Sequence, residues 1–313
     1  MKVVYQNNTR NEYISRINKV FDYIEANLEK QFTLAELAGV ANFSKYHFHR
    51  VFFGMVGETP FGFINRVRLE RAAIILRDNP SETIAAVAIK TGFTDTSIFS
   101  RNFKNQFGVP ATEYRRLKKS NLSKINSNYK QQLSSTSMYF CRRTKKLKWR
   151  TNMDLNKGVE IQDISPMTLA YIRHTGPYMG DEKLFKELWN RLYTWAGPRR
   201  LLEQPDMKSL VIYHDDPSVV PDEKLRLSVC IPVPPDTKVD GEVGKMNLEG
   251  GQYMVASFEL KPHQFQEAWT WIFGHWFPES GYQPADGQPF EMYSREPEDG
   301  TCFVDICIPV KPL

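Results

Sequence analysis

The chain has 313 residues, 41% hydrophobic and 25% charged, which allows two ordinary domains with substantial cores and excludes a disordered or collagen-like chain. No apolar run approaches the roughly 20 residues of a membrane span, the first residues lack the apolar stretch of a signal peptide, and Cys141, Cys230, Cys302 and Cys307 show no CxxC pair or zinc spacing. A cytoplasmic protein with reduced thiols, no membrane association, no metal and no cofactor is expected. The net charge of +5 is unevenly spread, with residues 1–119 at +7, 120–152 at +8 and 153–313 at −10, so a polyanion suits the front and a different partner the back.

The front reads as helices. Ile14, Ile17, Val20, Phe21, Ile24 and Leu28 recur at helical spacing. Thr33 with Glu36 three residues on forms a capping box for the short helix TLAELAGVA, which breaks at Gly39–Asn42. Ser44 is placed to cap the next helix, SKYHFHRVFFGM. Pro60 opens a long helix that ends near Asn79 and Pro80.

The pattern then repeats after about 50 residues: Thr33-Leu34-Ala35 is echoed by Thr83-Ile84-Ala85, Leu37-Ala38 by Val87-Ala88, Phe43 by Phe93 and HRVF (49–52) by SRNF (100–103). Two helix-turn-helix units joined by a long helix are expected over 1–119. Residues 120–156, rich in Ser, Asn and Lys with little periodicity, read as a basic linker able to touch DNA.

From 157 to 313 the pattern is α+β. GVEIQDISPMTLAYIRH carries strand-like pieces, DEKLFKELWNRLYTWAG is an amphipathic helix, and SLVIYHDD with LRLSVCIPV reads as a strand pair. The order recurs in MNLEGGQYMVASFEL, HQFQEAWTWIFGHWF, PFEMYSRE and CFVDICIPV. VCIPV (229–233) answers ICIPV (306–310), and LVIYHDDP (210–217) answers FEMYSREP (290–297). This predicts duplicated β-α-β-β halves with a cleft between them.

Residues 33–117 resemble the AraC/XylS family, most closely in IAAVAIKTGFTDTSIFSRNFKNQFGVPATEYRR (84–116). The resemblance implies that each second helix of a unit enters a major groove, the two grooves lying about one helical turn (~34 Å) apart. In the first such helix Lys45, Tyr46, His49 and Arg50 are the candidate DNA-contacting residues, with Phe48, Val51 and Phe52 facing the core. Arg50 can fork onto guanine, and His49 can bond a base edge. In the second, Thr96, Ser97, Ser100 and Arg101 form the exposed set, and the small hydroxyls suit phosphate or water-mediated contacts. The N-termini near Thr33 and Thr83 are candidates to grip phosphates.

The C-terminal half resembles the GyrI-like, effector-binding family in LAYIRHTGPY (169–178), HWFPESGYQP (275–284) and PFEMY (289–293). That family's ligand-binding glutamate lies in the FE-x-Y context, which places the role on Glu291. The repeat supports this separately: Glu291 stands where the first half has Val211, and a carboxylate on an apolar strand face is costly unless it has partners. Two readings stand, a structural pairing with a residue such as Arg295, or a cleft carboxylate among aromatics that meets a cation. Tyr178, Trp276, Glu291 and Tyr293 are the expected cleft lining, while Trp189 and Trp269 are expected in the core.

No Walker loop, GxGxxG, HExxH or GxSxG is present, so the expectation is a regulator and not an enzyme. It would take promoter DNA, a small lipophilic or cationic effector and RNA polymerase as partners. Two alternatives remain. Some GyrI-like proteins hydrolyse reactive small molecules with an acid in the same cleft, and the C-terminal domain could instead be a protein-interaction module.

Overall fold

The computed structural model describes residues 2–79, 81–116, 138–141, 146–149, 156–203, 207–215, 220–295 and 297–313. The chain divides into two compact units, residues 10–151 and residues 152–313 together with 1–9.

The N-terminal part of the chain is helical: α1 (Lys2–Ala26), whose residues from Arg10 on belong to the first unit, α2 (Leu34–Val40), α3 (Lys45–Val56), α4 (Pro60–Asp78), α5 (Ile84–Lys90), α6 (Thr96–Phe107) and α7 (Ala111–Tyr114). Tyr13, Ile17, Val20, Phe21 and Ile24 form the buried stripe of α1, so Tyr13 takes the place expected of Ile14. The Thr33–Glu36 capping box forms in both directions. Thr83 accepts from the Ala86 N–H, and Asp95 accepts from Ser97 and Ile98. Ser44 occupies the cap position of α3 without a side-chain cap bond, unlike the expectation.

The two repeats share their backbone logic. Each short helix ends in a residue with positive φ, Asn42 at 53° and Gly92 at 87°, followed by a phenylalanine whose N–H returns to Ala38 or Ala88. Asn and Gly are the residues that tolerate this conformation. Arg68 of α4 then ties the repeats together. It is buried, donates to the carbonyls of Leu28 and Lys30 at 2.8 and 2.5 Å, and lies over the rings of Phe32 and Phe93.

Most of the segment read as a linker lies outside the described residues. Within it, β1 (Met138–Cys141) and β2 (Lys146–Trp149) pair antiparallel, so regular structure occurs where none was expected.

The second unit holds β3 (Asn156–Ile164), β4 (Met167–Thr175), α8 (Glu182–Ala196), β5 (Ser209–Tyr213), β6 (Arg226–Pro232), β7 (Gly244–Leu248), β8 (Gly251–Leu260), α9 (Phe265–Trp271), a π-helical turn (Ile272–Trp276), α10 (Phe277–Ser280), β9 (Tyr282–Pro284), β10 (Phe290–Tyr293) and β11 (Cys302–Pro312). The sheet order is β3-β8-β11-β10-β5-β6-β4-β7, with β9 added to the end of β11. Exchanging each strand for its repeat partner returns the same order reversed, so the sheet has a pseudo-two-fold axis between β10 and β5. Each half also lends its first strand, β3 or β7, to the other half's edge, one strand more than the β-α-β-β reading.

The helices cover one sheet face. Leu188, Leu192 and Ala196 pack there against Ala170, Ile172, Val211, Val229 and Ile231. The other face gathers Leu169, Leu210, Ile212, Cys230, Phe290 and Cys307. On that second face Arg173 donates to Ser228 Oγ at 3.3 Å, and His214 Nε2 lies 2.9 Å from the same oxygen. Burial, reinforced by Arg173 and Arg226 and opposed by Asp215, lowers the His214 pKa from 6.5 to about 4.

Two predictions follow from these contacts. A Cβ on Gly92 would overlap the Leu28 carbonyl oxygen and the Arg68 guanidinium, whereas one on Gly108, also at positive φ, meets open space. Gly92→Ala should therefore lower the melting temperature of the helical unit well beyond Gly108→Ala, by more than the ~1 kcal/mol of backbone strain alone. For His214 the unfolded chain binds the proton first, so the second unit should gain stability as pH rises from about 4 to 6.5. Thermal melts of His214→Gln across that window should show a flatter pH dependence than the parent.

Candidate functional site

The helical unit presents two comparable faces. On α6 the apolar positions Phe99, Phe103 and Phe107 are buried, at i, i+4 and i+8, which turns the intervening residues outward. Thr96, Ser97, Ser100 and Arg101 are all exposed, and Lys104 beside them is exposed too. Asp95 caps this helix, and its bonds to the Ile98 and Ser97 N–H groups hold its carboxyl below the usual range.

On α3 the equivalent face is less open. Lys45 is exposed and Arg50 partly so. His49 is only 4% exposed, which corrects the expectation that it stands free. His47 is buried as well, so the covered surface of α3 extends to both sides of Phe48. The Tyr46 side chain lies outside the described residues. Arg50 and Arg101 occupy the same place in the two helices, the sixth residue of each.

The second candidate site lies on the helix-covered face of the sheet. β10 alternates: Phe290 and Met292 join the cluster on the far face, which turns Glu291 and Tyr293 to the helix side. Glu291 is 1% exposed. Its register partner is Val211 of β5, its own counterpart in the repeat, and Phe290↔Ile212 and Met292↔Leu210 flank that pair symmetrically. The pseudo-two-fold axis thus runs through the Glu291–Val211 pair, and the carboxylate stands on it.

Three donors converge on the carboxylate. Tyr213 and Tyr293 donate to Oε2 at 2.9 and 2.7 Å, and the Trp269 indole donates to Oε1 at 2.8 Å. Tyr213 and Tyr293 are themselves repeat counterparts, so one carboxylate oxygen is held by a symmetric pair. Burial, together with the neighbouring Glu291, raises the pKa of both phenols well above 10, and they remain donors. Hydrogen bonds to a charged group are worth about 1.5–3 kcal/mol each, which offsets the desolvation of the acid. These three donors are neutral side chains that solvate the carboxylate.

Around this centre Tyr178 packs its ring 5.5 Å from Tyr213, and Trp269 stacks on Phe273. Of the residues expected in the cleft, Tyr178, Glu291 and Tyr293 come together. Trp276 keeps other company, against Phe277 and Tyr282. The π-helical turn explains this: its extra residue puts Phe277, fully buried, in the position Ala196 holds in the first half, and Trp276 is turned away. Trp269, expected in the core, is the indole at the carboxylate. Arg295, the alternative partner for Glu291, lies against Glu298 and the Phe303 ring. Tyr213 and Trp269 were missed, although the match of LVIY to FEMY pairs Tyr213 with Tyr293.

Comparison with known proteins gives two family matches, a GyrI-like small molecule binding domain over residues 158–311 and a helix-turn-helix domain over 37–117. The chain is 32% identical over 158 residues to a DNA gyrase inhibitor of Serratia proteamaculans, covering 49% of this chain and 97% of that protein. It is 32% identical over 117 residues to the uncharacterized HTH-type transcriptional regulator YbfP of Bacillus subtilis, covering 37% of this chain and 39% of that protein. A solved structure of a probable AraC family transcriptional regulator from Rhodopseudomonas palustris is similar at 29% identity with a TM-score of 0.31, covering 33% of this chain and 95% of that one.

Proposed function

Since the chain belongs to the GyrI-like family through its C-terminal half and carries an AraC-type helix-turn-helix domain in its N-terminal half, we propose that it is a sequence-specific transcription regulator controlled by a small cationic effector. The observation that carries the effector reading is the buried Glu291 carboxylate, held by Tyr213, Tyr293 and Trp269. A negative charge surrounded by aromatic faces suits a lipophilic cation, which gains from both the charge and the ring faces. Glu291 is then the charge partner, with Tyr178 and Tyr293 in the lining.

Promoter DNA is read by α3 and α6. Arg50 and Arg101, in matching positions, are the side chains proposed to reach bases, with Lys45, Thr96, Ser97 and Ser100 on the backbone or on water-mediated contacts. His49, being buried, would need to move before it could contribute. Effector in the cleft shifts the balance of conformers and so changes promoter occupancy or the recruitment of RNA polymerase. No helix among the described residues is long and apolar enough to cross a membrane, and the protein is proposed to act in the cytoplasm.

A second reading draws on the Serratia relative named as a DNA gyrase inhibitor. In it the C-terminal half acts on a protein, and Glu291 is a structural group.

Calorimetric titration of the full chain with hydrophobic cations and neutral analogues separates the two. Cations should bind, and Glu291→Gln should lose them by at least tenfold while keeping any affinity for neutral analogues. If no cation binds, or if the variant binds equally well, the interaction reading gains and inhibition of gyrase supercoiling becomes the assay. For DNA, Arg50→Ala and Arg101→Ala should each cost ~1–3 kcal/mol on the selected site and relax one base position. A loss of equal size on every sequence would assign that arginine to phosphate alone.

A further inference from the structure

The helices α3 and α6 have the same length and the same place in the repeat, yet they differ in exposure at matching positions. His47 and His49 are buried where Ile98 and Ser100 are exposed. Phe53 is half-buried and Gly54 buried where Lys104 and Asn105 are exposed. Polarity does not explain the difference, since an isoleucine stands open on α6 where a histidine is covered on α3. One reading helix is closed and the other open.

The packing partners of α3 show what is added. Both α2 and α4 pack against α3, as α5 and α7 pack against α6. The strand β1, which lies beyond both repeats in the chain, packs against α3 as well, and it brings its antiparallel partner β2 with it. Burial of His49 puts this cover on the side of α3 that carries Lys45 and Arg50, the side proposed to face DNA. A major groove admits one helix or one two-stranded ribbon, so α3 cannot enter it with the strand in place.

We propose that the β1–β2 hairpin is a displaceable cover that holds the first reading helix shut until DNA arrives. This rests on the reading of α3 and α6 as DNA readers. Charge sets the direction of the switch. Residues 120–152 hold eight basic residues and no acid, and β2 itself contributes Lys146 and Lys148. The hairpin therefore sits on a helix of its own sign, at Lys45 and Arg50. Like charge weakens that seat, while phosphates attract both the hairpin and the helix beneath it. DNA thus favours the open state. The open helix α6 makes the first encounter, and release of the hairpin then adds the second groove.

The test uses the full chain and the double variant Tyr139→Gly with Phe140→Gly, which lowers the strand propensity of β1 and keeps every basic residue. Maleimide labelling, read by peptide mass, reports the cover without DNA. His49→Cys should label roughly tenfold more slowly than Ser100→Cys, and the double variant should bring the two rates together. Anisotropy titration with a site selected from random duplexes reports the consequence. A cover closed about nine-tenths of the time lowers affinity about tenfold, so the double variant should bind that site tighter by this factor. It should gain nothing on a site whose α3 half is scrambled. Melting curves confirm that each variant folds. Equal labelling in the parent, or slow labelling of His49→Cys that persists when residues 138–149 are deleted, overturns the cover. A double variant that labels fast yet binds the full site no tighter overturns the switch, and weaker binding makes the hairpin a DNA contact instead. If neither chain selects any DNA site while labelling differs as expected, the DNA reading falls and takes the switch with it.

Discussion

A carboxylate that has left water needs donors, and in the second unit the whole architecture is arranged to supply them. Glu291 can be held by Tyr213 and Tyr293 at once only because β5 and β10 meet antiparallel on the pseudo-two-fold axis. That pairing joins the two halves in mid-sheet, and the strands exchanged at the edges, β3 onto β8 and β7 onto β4, join them again. The helices then bury one face, and each carries a stacked aromatic pair, Trp189–Tyr193 and Trp269–Phe273. At the axis itself the two halves differ, valine in one and glutamate in the other, and that difference gives the site its acid.

The helical unit reuses duplication in another way. Its two repeats keep a threonine cap on the short helix and a positive-φ residue after it, Thr33 and Asn42 in one, Thr83 and Gly92 in the other, so the backbone takes the same course twice. Their outward faces differ: α6 shows small hydroxyls with Arg101, and α3 shows Lys45 and Arg50 beside histidines that are covered. Two helices of one shape with different side chains are suited to an asymmetric DNA site. Arg68 holds the spacing between the repeats, because its guanidinium satisfies the Leu28 and Lys30 carbonyls beside the turn of the second repeat.

Much of this was legible in the sequence because periodicity and repetition report on the backbone. The capping box at Thr33, the turn at Gly39–Asn42 and the answer of LVIY to FEMY are local signals with local causes. Glu291 and Tyr293 were legible for the same reason. Trp269 was not, because helical spacing cannot distinguish a stripe that faces the sheet from its neighbour that faces the axis. Trp276 was misplaced because a π-helical turn adds one residue without disturbing the hydrophobic pattern on either side. Helical spacing puts His49 on the side of Lys45 and Arg50, yet it is buried, because spacing does not report what covers a helix face. The strands β1 and β2 lie in a stretch whose composition gave no strand signal.

The indole N–H resonances offer the most direct test of the central claim, that a cation is received at the Glu291 carboxylate. The chain has six tryptophans, and among the described residues Trp269 donates its indole N–H to Glu291 and Trp195 to Asp240. With the peaks assigned by single substitutions, saturating tetraphenylphosphonium should shift the Trp269 indole strongly and leave Trp195 in place, and Glu291→Gln should remove the response. A bound cation that leaves the Trp269 signal unmoved would contradict the account and place the effector elsewhere.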